Sequence, residues 1–348
     1  MGPNRLIMAR IALVVTNACA PDPRVERHAR WLSELGHDTE IHAWDREHNH
    51  LIVEEKNGYT IHRHQIGKTG HSKPLKTWRN KKKFILSLRL NHDLLILNDT
   101  DTYGVKFNGP TILDIHDIAH TWPLMRGKSL IHKFASYRMF SQAKKMIKAS
   151  DEIIVAAPGF ESWVSSFGRK STIVMNRINP RKIERTKEKV VGYFGRIREI
   201  DSISLMVQAA NDIGFKVLIA GDGIDSESVV EKFPDVDFRG PFTEEELPDL
   251  MTEISVMYAM YDDKRDNIRF GAIPTKMLDA AAFGIPSVVN RDTPMGDLCE
   301  NEEIGKTAPY GDIKQISKSI LEAHEMDITN SKGEDKDEFL SVIRKLLD

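Results

Sequence analysis

The chain has 348 residues, 41% hydrophobic and 29% charged, which is too long for one ordinary core and suits two domains of roughly 150–180 residues each. No apolar run reaches the ~18 residues of a membrane span, Ile11 to Val15 is too short for the core of an export signal, and Cys19 and Cys299 alone make neither a disulfide framework nor a zinc set, so a cytoplasmic protein is expected. The net charge of −2 conceals an asymmetry: residues 1–180 carry 27 Lys and Arg against 17 Asp and Glu, whereas residues 181–348 carry 22 against 34.

Arg10-Ile-Ala-Leu-Val-Val-Thr16 is a continuous apolar run, the pattern of a strand buried on both faces. After the turn Asn17-Ala-Cys-Ala-Pro21, Asp22 and Pro23 open a helix as N-cap and first position, and Gly36 closes it. Strands are expected at Thr39–Trp44, Asp93–Asn98, Thr111–Ile115, Glu152–Ala156 and Thr172–Met175. Helices are expected at Leu75–Leu90, Lys128–Ala149 and Gly159–Ser166. Asn176 to Lys189 is polar and reads as a linker.

The alternation then restarts. Strands are expected at Val190–Phe194, Lys216–Ala220, Val236–Arg239, Ser255–Tyr258 and Ser287–Asn290. Helices are expected at Ser202–Asp212, Ser226–Lys232, Glu244–Met251, Pro274–Phe283, Asp312–Ala323 and Asp337–Leu347. This pattern predicts an α/β chain of two Rossmann-like, doubly wound parallel sheets, one in residues 1–180 and one in residues 181–348 with the C-terminal helix. Ligands bind outside the carboxyl ends of such sheets, so a cleft between the domains is the expected site. Neither half has G-x-G-x-x-G: Asn17-Ala-Cys-Ala-Pro21 lacks the glycines and Gly221-Asp-Gly223 lacks the third. A dinucleotide cofactor is therefore not expected, nor any other cofactor.

Several segments, in order along nearly the whole chain, resemble retaining glycosyltransferases of family four. They are Asp22-Pro-Arg-Val25, Leu35-Gly-His-Asp38, Asp114-Ile-His-Asp117, Gly192-Tyr-Phe-Gly-Arg196, Ile219-Ala-Gly-Asp-Gly223 and Pro274-Thr-Lys-Met-Leu-Asp279. The resemblance implies the two-domain GT-B fold, with the acceptor on the first domain and a nucleotide-sugar donor on the second. A departing diphosphate needs cations and a helix N-terminus aimed at its charge. By resemblance Arg196 binds it. The family's following Lys is replaced by Glu199-Ile-Asp201, which leaves Lys276 as the second cation, with Arg198 next. Asp279 stands where the family's closing Glu holds the ribose. The opening Glu, which contacts the donor sugar, falls at Gly271. The sugar is then held by the backbone amides of Gly271 and Ala272, or by Asp262, Asp263 or Asp266. His116 lies by resemblance near the reacting carbon, where it would orient and stabilise rather than take a proton. The loop at Asn17 offers close backbone approach to the donor, and Gly221 and Gly223 make room for the base or simply allow a tight turn.

The expected function is metal-independent transfer of a sugar, with retention, from a nucleotide diphosphate, UDP before GDP, to a glycan or lipid-linked acceptor. The alternatives are a sugar-nucleotide epimerase of this architecture and a non-catalytic sugar-nucleotide-binding relative. No metal-ligating cluster is visible, and no nucleic-acid partner is expected. Lys56 to His92 holds ten Lys and Arg and no acid, and Ile118 to Ser150 holds seven and no acid. Lys73, Lys76, Trp78, Arg79, Lys81, Lys82, Lys83 and Phe84 are therefore expected to place cations and aromatics on an anionic membrane surface, peripheral to the cytoplasmic face.

Overall fold

The computed structural model describes residues 8–69 and 74–347. Lys73 and the start of the chain lie outside the described residues. The chain divides into two compact units, one running to Met175 and resuming at Asp335, the other spanning Asn176–Glu334.

The first unit begins with β1 (Arg10–Val15), buried along all but its first residue. In α1 (Pro23–Glu34), the Asp22 carboxylate caps the Val25 N–H, and Val25, Ala29 and Leu32 bury one face against the sheet. Next come β2 (Asp38–Ala43), β3 (Val53–Lys56), β4 (Tyr59–Arg63) and α2 (Pro74–Ser87). After β5 (Leu94–Asn98) and β6 (Thr111–Ile115) come α3 (Trp122–Arg126), α4 (Leu130–Ala149), β7 (Glu152–Val155), α5 (Pro158–Ser165) and β8 (Thr172–Ile173). The strand order is β3-β4-β2-β1-β5-β6-β7-β8. Only β3 runs antiparallel, against β4. That hairpin is absent from the sequence reading, although Asn57-Gly58 is the turn that a two-residue hairpin favours, with Gly58 at φ +90°. The charge of Val-Glu-Glu-Lys masked it.

The second unit alternates more regularly: β9 (Val190–Phe194), α6 (Ile200–Asp212), β10 (Lys216–Ala220), α7 (Ser226–Lys232), β11 (Asp237–Gly240), α8 (Leu247–Thr252) and β12 (Val256–Tyr258). Then follow α9 (Asp266–Phe270), α10 (Thr275–Ala282), β13 (Ser287–Asn290), α11 (Pro294–Asn301), β14 (Gly305–Ala308) and α12 (Ile313–His324). All pairs in the order β11-β10-β9-β12-β13-β14 are parallel. One face is covered by Ile203, Met206 and Ala210 of α6 and Ile316 and Ile320 of α12. The other meets Ala280 of α10 and Phe283 just beyond it. Elements α9, α11 and β14 are not foreseen from sequence, being short and polar.

The last helix, α13 (Lys336–Leu347), corrects the expected boundary. It belongs to the first unit, not to the second, because Phe339, Leu340, Val342 and Ile343 complete the first core. Phe339 stacks on His28 of α1 at 4.2 Å and tilts against Trp31 at 5.5 Å. Lys345 pairs with Glu152 at 3.4 Å. The division falls after Met175 rather than at residue 180 because Arg177 is tied into the second unit: its guanidinium donates to both Glu302 oxygens, at 2.7 and 2.8 Å.

Candidate functional site

Parallel strands bring the ends of β1, β5 and β6 to one edge of the first sheet. His116, one residue past β6, is held there between two carboxylates. Its Nε2 is 3.1 Å from Asp114 Oδ2 and its Nδ1 is 3.6 Å from Asp99 Oδ2. Asp99 Oδ1 accepts the His116 and Asp117 N–H groups, at 2.7 and 3.2 Å. Asp114 is fully buried, and Arg24 of α1 donates to it at 2.6 Å. His28 faces the same carboxylate at 3.2 Å.

This arrangement sets the protonation. Burial opposes charge on His116, but Asp99 and Asp114 outweigh it and raise the imidazole to about 9. Burial raises the Asp114 carboxyl too, yet Arg24 and then His116 hold it well below the usual carboxylate range. Burial pushes Asp99 up to about 7 against the pull of His116. Burial lowers His28 to about 3. His116 is thus a fixed cation with both nitrogens engaged, fitted to orient and stabilise charge and unfitted to accept a proton.

Asn17 is close to this edge, but its side chain is consumed locally. Its Nδ2 donates to Asp22 at 2.7 Å, and its Oδ1 accepts the Cys19 N–H at 2.7 Å. The side-chain amide thus shapes the turn, and any approach to a donor here falls to the backbone of the loop.

In the second unit the loops after β9 and β10 are zipped together. The Gly195 N–H donates to Ala220 O and the Ile197 N–H to Asp222 O, at 2.9 and 2.8 Å. A Cβ on Gly221 would stand 1.8 Å from Gly195 O, and one on Gly223 would stand 1.9 Å from Ile197 O. Both glycines are therefore required by the approach of backbone to backbone. Arg196 and Asp222 project outward from the two loops and pair at 2.8 Å. Arg198 is also exposed. Glu199, where the resemblance expects a cation nearby, is neutralised by Arg265 and accepts the Asp262 N–H at 3.0 Å.

Lys276, at the start of α10, is the distinctive group here. Its Nζ lies 3.1 Å from the Tyr193 ring centroid and 5.6 Å from that of Tyr261. The atom is buried and makes no hydrogen bond among the described residues. Burial holds its pKa well below the lysine range, against the attraction of Glu199. A buried amino group on aromatic faces with its donors unused is placed to take up charge when an anion arrives beside it. Asp279 follows three residues later on α10 and is partly buried.

Gly271 and Ala272 do not offer amides to a sugar. Gly271 caps α9 in the left-handed region at φ +107°, and the N–H groups of Gly271 and Ala272 return to Ile268 O and Asn267 O, at 3.1 and 2.9 Å. The backbone here needs glycine, which accounts for the missing acid at this position.

The basic surface is only partly as expected. Lys76, Arg79, Lys82 and Lys83 are exposed on α2, and Trp78 is 46% exposed with the Arg138 guanidinium of α4 5.0 Å over its ring. Lys81 instead turns toward Asp101, 3.7 Å away, and Phe84 is fully buried, stacked on Trp44. The sequence reading missed the apolar part. Leu130, Ile131, Phe134 and Tyr137 of α4 are each at least 67% exposed. Their i, i+1, i+4, i+7 spacing, legible in the sequence, puts them on one face. Nor did the sequence show that Glu40, His42 and His92 place their ligand atoms within 4.8 Å of one another.

A family model described as Glycosyl transferases group 1 matches residues 188–326, which hold Arg196, Lys276 and Asp279. No curated protein sequence matches the chain significantly. Among solved structures, sucrose-phosphate synthase from Thermosynechococcus elongatus is similar at a TM-score of 0.75 and 16% identity, over 97% of this chain and 95% of that one. HepE from Anabaena, in complex with UDP and glucose, is similar at a TM-score of 0.65 and 13% identity, over 98% and 96%. WaaG, a glycosyltransferase involved in lipopolysaccharide biosynthesis, is similar at a TM-score of 0.62 and 10% identity, over 91% and 90%. The chain has the GT-B fold, and its residues 188–326 match the model of the group 1 glycosyl transferases.

Proposed function

We propose that this protein is a retaining glycosyltransferase that moves a sugar from a UDP-sugar to a glycan or lipid-linked acceptor, without a catalytic metal. The observation that carries the reading is the buried, unbonded Lys276 amino group at the head of α10, within the family-matched segment. With Arg196 and Arg198 it supplies the positive charge that a departing diphosphate needs, where a metal would otherwise serve. Asp279 accepts from the ribose hydroxyls. His116 acts on the first unit as a fixed positive charge, so the acceptor proton passes to the leaving phosphate and not to a side-chain base. UDP is favoured because HepE is similar along nearly its whole length and its structures hold UDP, UDP-glucose, or UDP with glucose.

The exposed cations of α2 and the exposed apolar face of α4 support an acceptor at an anionic membrane. No helix among the described residues is long and apolar enough to cross a membrane, so attachment through these helices is peripheral.

The test is turnover of radiolabelled UDP-sugars with membrane glycolipid extracts, with no divalent metal added. Labelled lipid or glycan is the expected product. Lys276→Met should reduce turnover by roughly 10²–10³, the loss expected for one preorganised charge contact, and should weaken UDP binding in calorimetry. Wild-type turnover and UDP affinity in Lys276→Met would remove the assignment.

A further inference from the structure

Away from the carboxyl edge, the first sheet gathers four histidines and one glutamate that glycosyl transfer does not use. Glu40 and His42 are two apart on β2 and so share a face. His62 on β4 is the register partner of His42. His64 follows two residues on. His92 comes just before β5, at the opposite end of that strand from Asp99. Ala12 of β1, the register partner of Glu40, lies between β2 and β5 with only a methyl group.

Three imidazoles converge on a single oxygen. Glu40 Oε2 is 3.2 Å from His92 Nε2, 3.4 Å from His42 Nε2 and 3.6 Å from His62 Nε2. A zinc ion with Zn–N and Zn–O bonds of about 2.0–2.2 Å sets tetrahedral ligands about 3.3–3.5 Å apart. The separations from His92 and His42 match that edge, and the ligand atoms of Glu40, His42 and His92 all lie within 4.8 Å of one another.

The hydrogen bonding around His42 also leaves room for a cation. His42 Nδ1 is 3.2 Å from His64 Nε2. A metal-binding imidazole keeps its second nitrogen engaged in this way, which fixes its tautomer. His42 is 8% exposed, and its Nε2 makes no hydrogen bond although the carboxylate oxygen stands 3.4 Å away. With Nδ1–H donated to His64, that Nε2 is a lone pair facing an anion. A ligand set of two imidazoles and one carboxylate suits zinc and not the oxygen-seeking magnesium or calcium.

We propose that Glu40, His42 and His92 bind a zinc ion that ties β2 to the segment leading into β5, with His62 of β4 against the same carboxylate. His62 and Glu40 are each about one-third exposed, which opens the site to loading from solvent. His64 holds His42 in the binding tautomer. Three ligands come from the protein, and water completes the four positions of the ion.

The experiment uses the full-length protein, stripped with EDTA, dialysed and titrated with zinc chloride. The expected result is uptake of a single Zn²⁺ by elemental analysis, and a rise in Tm of about 5–10 °C at a hundredfold excess over Kd. Cobalt should give the intense visible bands of a tetrahedral ion. His92→Ala and Glu40→Gln should each lower zinc affinity at least tenfold, while His132→Ala, outside the cluster, should leave it unchanged. If His92→Ala does not fold, Glu40→Gln, at a part-exposed position, decides the matter. Absence of stoichiometric zinc uptake, or unchanged affinity in Glu40→Gln, would mean that only protons bridge these groups and would overturn the proposal.

Discussion

His116 has a pKa of about 9 in the fold, above its ordinary value of about 6.5, so the folded chain holds this proton more tightly than the unfolded chain. Its contribution is complete below about pH 6.5 and is lost as pH rises through about 9. Asp99, raised to about 7, lowers stability as pH rises over an earlier window, from about 4 to 7. His28, lowered to about 3, acts in the other direction: stability falls as pH drops below about 6.5. Thermal melts should therefore show Tm falling by ~5 °C between pH 7 and 9.5, and His116→Gln should remove most of that slope. An unchanged slope in the variant would place the alkaline loss elsewhere. A second residue-scale expectation concerns Gly271. Restoring the acid that the resemblance calls for, Gly271→Glu, forces a side chain into φ +107° at a cost of about 1–2 kcal/mol. The variant should melt roughly 2–5 °C lower and gain no turnover. A more active or unstrained Gly271→Glu enzyme would refute the backbone explanation.

Among the elements, α2 and α4 together test the membrane reading. Arg138 of α4 lies over Trp78 of α2, so the two helices are neighbours. One contributes Lys76, Arg79, Lys82 and Lys83, and the other Leu130, Ile131, Phe134 and Tyr137. Each cation near an anionic surface contributes about 1 kcal/mol, and the apolar residues add insertion that salt does not screen. Vesicles containing phosphatidylglycerol should sediment the protein, and Lys82→Glu with Lys83→Glu should abolish this at physiological salt. Ile131→Ser with Phe134→Ser should reduce the binding that survives high salt. Equal sedimentation with neutral vesicles would sink the idea. Charge counting alone identified this surface from sequence, and so it misplaced two residues: Phe84 at fourfold helical spacing from Asn80 lies on the buried side, and Lys81 turns to Asp101. Elements with strong apolar runs, such as β1, β9 and β10, were legible because burial on both faces leaves no other reading. Those defined by turn chemistry, such as the Asn57-Gly58 hairpin, were legible too but overlooked. The Glu40 and histidine cluster was not, since a sheet assembles it from strands that the sequence keeps fifty residues apart.

At the scale of the whole molecule, the chain's last helix belongs to its first unit, and this decides which fragments can fold. Burying Phe339, Leu340, Val342 and Ile343 contributes roughly 1.5–3 kcal/mol each, a sum comparable with the whole stability of a domain, about 5–15 kcal/mol. A chain that ends at residue 335 should lose cooperative melting of the first unit. The converse experiment is cleaner, because the second unit's cores draw nothing from α13. A fragment of residues 176–334 keeps the Arg177–Glu302 pair, in which both side chains are at least nine-tenths buried, and it should unfold in a single cooperative transition. A fragment of residues 181–348, cut where the sequence suggested, loses Arg177. That leaves the Glu302 carboxylate with the exposed Lys332 ammonium at 2.9 Å, and breaking one side of a buried pair costs about 3–5 kcal/mol. It also carries α13 with its apolar face uncovered, a surface that invites self-association. The longer fragment should therefore melt at least 5 °C below the shorter one and elute as oligomers in size exclusion. Equal melting temperatures and a monomeric longer fragment would show that α13 can serve the second unit after all.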